Sequence, residues 1–298
     1  MTQKLVLVTG STGATGGFAI EALIQMRVPV RALVHENDKR AARLREMGVE
    51  TCVGDLLEIN DVRVAMEGVS AAYFVYPLLP GLVTASAYFA QAAIEAGLLG
   101  IVNMSQMSAR RDSRSHQARD HWISERVFDW AGVPVTHLRP TFFAQWLTRG
   151  KQLRTIAEEG YFRLPFGSGR HAPIAAEDQG RLIAAILNDP ASHAGKPYEL
   201  CGPIEMDYHG VAAAISDELG RTIVYQPMEI LDYRRQLEVL NMPERMIQHL
   251  CAVAEDYRSG LFAGTDQVIE KITGIPPMTV QAFVEVHRNE LGDEHRLT

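Results

Sequence analysis

Cysteine is scarce: the 298 residues hold three, Cys52, Cys201 and Cys251. They lie far apart, with neither the paired spacing of a zinc site nor the even count of a disulfide framework. No stretch approaches the roughly 18 consecutive apolar residues of a membrane span. Positive charge is not concentrated either. Lys and Arg number 29 against 36 Asp and Glu, a formal net charge of −7, and they form no long basic block. A nucleic-acid footprint is therefore not expected. The opening "MTQKLVLVTG" enters a strand directly and lacks the apolar region and cleavage site of a secretory leader. A reducing, cytoplasmic location is the expectation. There is no Gly-x-Ser-x-Gly elbow and no His-Glu-x-x-His pair, so neither hydrolase chemistry nor a metal is expected.

What is present is 47% hydrophobic residues in an alternating pattern. Short β-rich runs stand at 4–10, 28–35, 49–55, 71–77, 100–106 and 133–140. Segments with apolar residues at helical spacing separate them. Several of these stop at a glycine: Gly48, Gly68, Gly97 and Gly132. Strands alternating with helices predict an α/β fold, a Rossmann-type doubly wound parallel sheet with helices on both faces. After about residue 150 the rhythm changes. "KPYELCGP" and "TIVYQPM" read as short strands, and 229–298 as mostly helical. The expected division is a dinucleotide-binding domain at 1–150 and a smaller, mostly helical lobe at 151–298. Part of 170–200 is expected to pack back onto the sheet.

The first strand runs into "TGSTGATGG", with glycines at 10, 13 and 16. Gly10 permits a tight turn, Gly13 lets backbone approach a pyrophosphate, and Gly16 lets the helix pack on the strand. The intervening Thr12, Ala14 and Thr15 offer backbone N–H groups at the helix N-terminus. At the first strand–helix junction of a βαβ series, this spacing predicts a bound dinucleotide.

These stretches, together with "ALVHENDKRAARL", "GVETCVGDLLEINDVRVAMEGVSAAYFV", "AGVPVTHLRPTFF", "GSGRHAPIAAEDQGRLIAAIL" and "PYELCGP", resemble the NmrA-like branch of the atypical short-chain dehydrogenases/reductases. The resemblance implies an NAD(P)-binding domain and a smaller lobe closing over a cleft. It implies two kinds of activity: reduction of quinones and other small molecules, or redox sensing with little or no catalysis. A homodimer, and for a sensor a protein partner, are the assemblies expected. Members that use NADP often carry Arg where His35 stands, so His35 departs from that pattern. Glu36 stands where an acid would favour NAD by holding a ribose hydroxyl. Lys39 and Arg40 could instead meet a 2′-phosphate. The balance favours NADP(H), with NAD(H) the alternative. By resemblance, Asp55 and Leu56 flank the adenine.

The ends of the fourth, fifth and sixth strands, at Tyr76-Pro77, Ser105 and Pro140 with nearby Phe142, should converge around the nicotinamide. Conventional members of the superfamily use Tyr-x-x-x-Lys on the following helix. This chain has Gln117 and His121 at those places, with Glu125 one turn on. Gln cannot act as a general acid. His121 can protonate an oxygen or anchor a ribose, and Ser105 can donate to a carbonyl. Tyr76, Phe143 and Trp146 suit a flat aromatic substrate, as do Tyr161, Phe162 and Phe166 unless they form core. His171, after "GSGR", is placed at the cleft rim, and Asp178 braces its helix.

Overall fold

In the computed structural model, residues 4–292 are described. The first half alternates strictly: β1 (Leu5–Val8), α1 (Ala14–Gln25), β2 (Val30–Val34), α2 (Lys39–Glu46), β3 (Glu50–Val53), α3 (Ile59–Ala65), β4 (Val69–Phe74), α4 (Leu82–Ala96), β5 (Gly100–Met104), α5 (His116–Ala131) and β6 (Val135–Pro140). The second half runs α6 (Gly150–Arg154), β7 (Tyr161–Leu164), β8 (Arg170–His171), α7 (Ala176–Asn188), β9 (Pro197–Leu200), β10 (Met206–Asp207), α8 (Tyr208–Leu219), β11 (Val224–Pro227), α9 (Ile230–Val239), α10 (Glu244–Arg258), α11 (Val268–Thr273), α12 (Val280–Val286) and α13 (Arg288–Gly292).

Seven strands form one parallel sheet in the order β3-β2-β1-β4-β5-β6-β9. This is the doubly wound Rossmann order, with its switch point between β1 and β4. Alternation along β1 feeds both faces. Val6 and Val8 join Ile20, Leu23 and Leu182 on one side, while Leu7 joins Phe74, Phe89 and Phe128 on the other. Helix ends follow local chemistry. The Asp38 carboxylate accepts from the N–H groups of Arg40 and Ala41 to start α2, and Gly97 ends α4 in the left-handed region.

The second half does not form one block. The "KPYELCGP" run becomes β9, the seventh strand of the main sheet beside β6. Helix α7 and Ile269 of α11 complete the core on the α1 face. A separate core gathers Ile156, Phe162, Phe166, Tyr208, Tyr225, Tyr257 and Phe283. It is framed by two small sheets, β11 with β7 and β10 with β8.

Candidate functional site

After β1 the backbone turns at Gly10, where φ is +56° and a Cβ would meet Val75 Cγ1 at 2.4 Å. Gly13 N donates to Gly10 O at 2.9 Å and closes the turn. Helix α1 rests directly on it, since a Cβ on Gly16 would lie 2.3 Å from Gly10 O. The turn is tied to both neighbouring strands: the Ser11 hydroxyl donates to Leu33 O, and Thr9 Oγ1 bonds Val75 N and O. The N-cap of α1 is Gly13. No side chain caps it, and no acid stands in the first turn. An uncapped N-terminus of this kind offers free N–H groups and partial positive charge to an anion. Thr12 and Gly13 are exposed there. The Thr15 hydroxyl turns into the core, bonding Tyr73 OH at 2.9 Å, which leaves its backbone N–H, the group expected to serve, for a phosphate.

Along the carboxyl ends of β1 to β4 runs a groove of about 540 Å³. It brings together Gly10, Thr12, His35, Asp55, Leu56, Tyr76 and Pro77 of the expected cofactor residues. Leu57, Leu79 and Pro80, which the sequence did not single out, complete its apolar walls. Asp55 is held by Leu57 N, which donates to its Oδ1, and the Tyr76 hydroxyl donates to Pro80 O. A second hollow of about 240 Å³ joins Thr12 and Gly13 to Arg40 and Arg43 of α2. Lys39, exposed on the same helix, lines neither hollow. The residues present therefore fit a dinucleotide: a backbone cradle for pyrophosphate, an apolar slot for an adenine, and two guanidinium groups beside it. Arg43 was missed, although its i, i+3 spacing from Arg40 places both on one helix face.

At the β5 and β6 ends the picture differs from the simple expectation. Ser105 is buried. Its hydroxyl lies beside the Glu125 carboxylate, outside hydrogen-bonding geometry. Glu125 is no free base: Arg139 grips it with two bonds of 2.8 and 2.5 Å. The arginine and its neighbours outweigh burial and hold the carboxyl below its ordinary range. His121 is buried, and burial pushes its pKa down to about 4, with His249 adding to the effect and Glu125 opposing it. It is neutral near pH 7. Gln117 is buried too, and its Oε1 accepts from Arg245 of α10. Pro140 is buried at the end of β6, and the half-buried Phe142 follows it. Gln106, next to Ser105, is a further candidate, because its buried Nε2 has no partner among the described residues.

The aromatic residues mostly serve packing. Phe142 stands edge-on to Phe166, His171, Tyr257 and Phe262. Trp146 packs edge-on to Phe162 and Tyr208, while Phe143 joins the sheet core. Tyr161 stays half-exposed. His171 is not at a rim. Pairing of β8 with β10 draws it into the second core at 0% exposure, where it bonds the Tyr257 hydroxyl and burial lowers its pKa to about 3. Asp178 braces α7 as expected, accepting from Arg181 and from Met278 N.

The sequence matches the NmrA-like family over residues 2–283. It is 31% identical over 294 residues to an NAD(P)H azoreductase of Xenophilus azovorans, covering 97% of this chain and 99% of that one. The solved structure of an NADPH-dependent quinone oxidoreductase from Escherichia coli, complexed with NADPH, has a TM-score of 0.84. It is 23% identical, with 95% of this chain and 100% of the other covered. A triphenylmethane reductase of Citrobacter sp. has a TM-score of 0.81 at 24% identity, with 95% and 99% covered. The family match begins before the glycine turn and runs through the sheet and most of the second core, so the chain as a whole belongs to the NmrA-like family.

Proposed function

We propose that this protein is an NAD(P)H-dependent oxidoreductase that reduces a flat aromatic acceptor of the quinone or aromatic carbonyl class, with NADP(H) preferred. The observation that carries this reading is the open N-terminus of α1, uncapped and without an acid, at the mouth of the groove. Backbone of Gly10–Gly16 would hold the pyrophosphate, and Asp55, Leu56, Tyr76 and Pro77 the adenosine. Arg40 and Arg43 would meet a 2′-phosphate. His121, Pro140, Phe142 and the backbone of Ser105 belong to the nicotinamide side. The bound cofactor supplies a hydride.

The named relatives are reductases of azo, quinone and triphenylmethane compounds, all extended conjugated systems, which supports that acceptor class. In a quinone the negative charge left by hydride addition is delocalised into the ring. Strong acid assistance is then dispensable, in keeping with Gln117 and a neutral His121 where Tyr and Lys would stand. Residues 1–150 carry the cofactor in this reading. The acceptor enters against the lobe formed mainly from 151–298.

The test is loss of NADPH absorbance with a panel of quinones and unactivated ketones. Turnover of the quinones alone is expected. If nothing consumes the cofactor while oxidised and reduced forms bind with different affinity, the protein is a redox sensor and the reductase reading fails.

A further inference from the structure

The hollow of about 240 Å³ beside the glycine turn shares Ser11 and Thr12 with the adenine groove, so the two open onto the same stretch of backbone. Arg40 and Arg43 of α2 supply its positive charge, and Glu21 of α1 stands on the same wall. The two arginines are not equivalent. Arg43 is exposed and has no ion pair among the described residues. Arg40 is already engaged: its Nε donates to Asp38 Oδ2 at 2.7 Å. Glu21 and Asp38 thus balance Arg40 and Arg43 in formal charge, and the arginines do not make a simple basic patch.

Asp38 does two separable things. Its Oδ1 accepts from Arg40 N at 2.8 Å and from Ala41 N at 3.1 Å, which caps α2. Its Oδ2 holds the Arg40 guanidinium. The cap needs one acceptor oxygen, which Asn and Ser also offer. The ion pair needs a second, charged oxygen, which neither has. The Arg40 side chain is 67% exposed and that of Asp38 32%, so the pair contributes little to the stability of the fold. Its effect is on the hollow. A phosphate that enters must compete with the Asp38 carboxylate for Arg40 and meets its repulsion. A ribose hydroxyl in the same place meets neither.

We infer that Asp38 sets the selectivity between NADP and NAD by withholding Arg40 from the 2′-phosphate, and that Arg43 is the arginine that meets the phosphate unaided. This rests on the cofactor assignment made above. Asp38 is a positioning residue: it acts on the nucleotide only through Arg40. Recognition of the 2′-phosphate is thereby held below what two free guanidinium groups would give, and a single carboxylate controls the margin.

The test is the calorimetric affinity of the full-length protein for NADPH and for NADH at low ionic strength. Arg43→Ala should weaken NADPH by about tenfold or more, the size of one charged hydrogen bond, whereas Arg40→Ala should cost less than about threefold. Asp38→Asn keeps the cap and frees Arg40. It should strengthen NADPH by about three- to tenfold and leave NADH within about twofold. Asp38→Ser should do the same, which guards against an effect peculiar to the new amide. Adding Arg40→Ala to Asp38→Asn should erase the gain, so losing Arg40 costs more in that background than in the wild type. The gain should shrink in high salt, because the groups are exposed. An unchanged ratio of NADPH to NADH affinity in Asp38→Asn, or equal costs of Arg40→Ala in the two backgrounds, overturns the inference and leaves the cofactor assignment intact. If the wild type binds neither nucleotide, the assignment fails and the inference with it. If the affinities follow the expected pattern but no quinone is reduced, the reductase reading fails and the role of Asp38 stands.

Discussion

A Cβ at Gly16 would sit 2.3 Å from the Gly10 carbonyl oxygen, whereas one at Gly13 would meet that oxygen at 3.1 Å and otherwise face open space. The two glycines therefore serve different ends, and valine at each position separates them. Gly16→Val forces α1 off the turn. Overpacking of this kind costs about 1–3 kcal/mol, and Tm should fall by several degrees. Gly13→Val should lower Tm less than Gly16→Val and abolish NADPH binding, because the branched side chain fills the anion cradle. Calorimetric titration beside thermal melts decides it; unchanged affinity in Gly13→Val would remove the cradle from the site. The arginines of α2 allow a second comparison. Replacing Arg40 and Arg43 together with Ala should weaken NADP by roughly tenfold or more and NAD far less, since a charged hydrogen bond contributes about 1.5–3 kcal/mol. Equal weakening of both would shift attention to Glu36. The glycine turn could be read from the chain because its parts lie within seven residues of each other. The inward turn of Thr15 could not, since its partner Tyr73 is 58 residues away.

Helix α5 is held from beneath by polar groups of β5 and β6. Glu125 and Arg139 form the tightest brace, and a second chain runs from Asn103 through His137 to Asp129. Glu125 is fully buried, while Arg139 keeps a fifth of its side chain exposed. Removing one partner of such a pair strands the other, so Glu125→Ala should destabilise the protein by about 3–5 kcal/mol in urea denaturation. The double change Glu125→Leu with Arg139→Met should be milder than the single one. If it is worse, the pair contributes net stability beyond mutual neutralisation. The helical pattern of this segment and its stop at Gly132 were legible from periodicity. Its functional face was not. Ser105 turned out to neighbour Glu125, and Gln117 acquired a partner 128 residues away.

His121, His171 and His249 are uncharged in the folded molecule, with pKa values pushed down to about 4, 3 and 4 chiefly by burial. In the unfolded chain each returns to about 6.5. Between those limits the unfolded state binds more protons. Their contribution is fully present above about pH 7 and is lost as the pH falls toward 4 and below. Glu125, also lowered, acts in the same direction at the acid end, while the raised Asp178 and Asp266 oppose it in part. Tm should therefore drop steeply on acidification from pH 7 to pH 4, and His249→Gln should make that slope shallower. An unchanged slope would mean that His249 is protonated in the folded molecule.

The order of strands and helices through residue 140 was written in local patterns: alternation of two for the strands, apolar spacing near 3.6 for the helices, glycine at the breaks. So was the anion-binding turn, because a helix N-terminus and the turn before it are determined by a few adjacent residues. Three features depended on contacts no local pattern encodes. Strand β9 joins the sheet only because the chain returns beside β6 after a long excursion. His171 becomes core because β8 pairs with β10. Gln117 gains an oriented amide because α10, far along the chain, docks on α5. In each case the deciding interaction is a burial or a hydrogen bond between distant segments, whose free energy exists only once the whole chain has closed on itself.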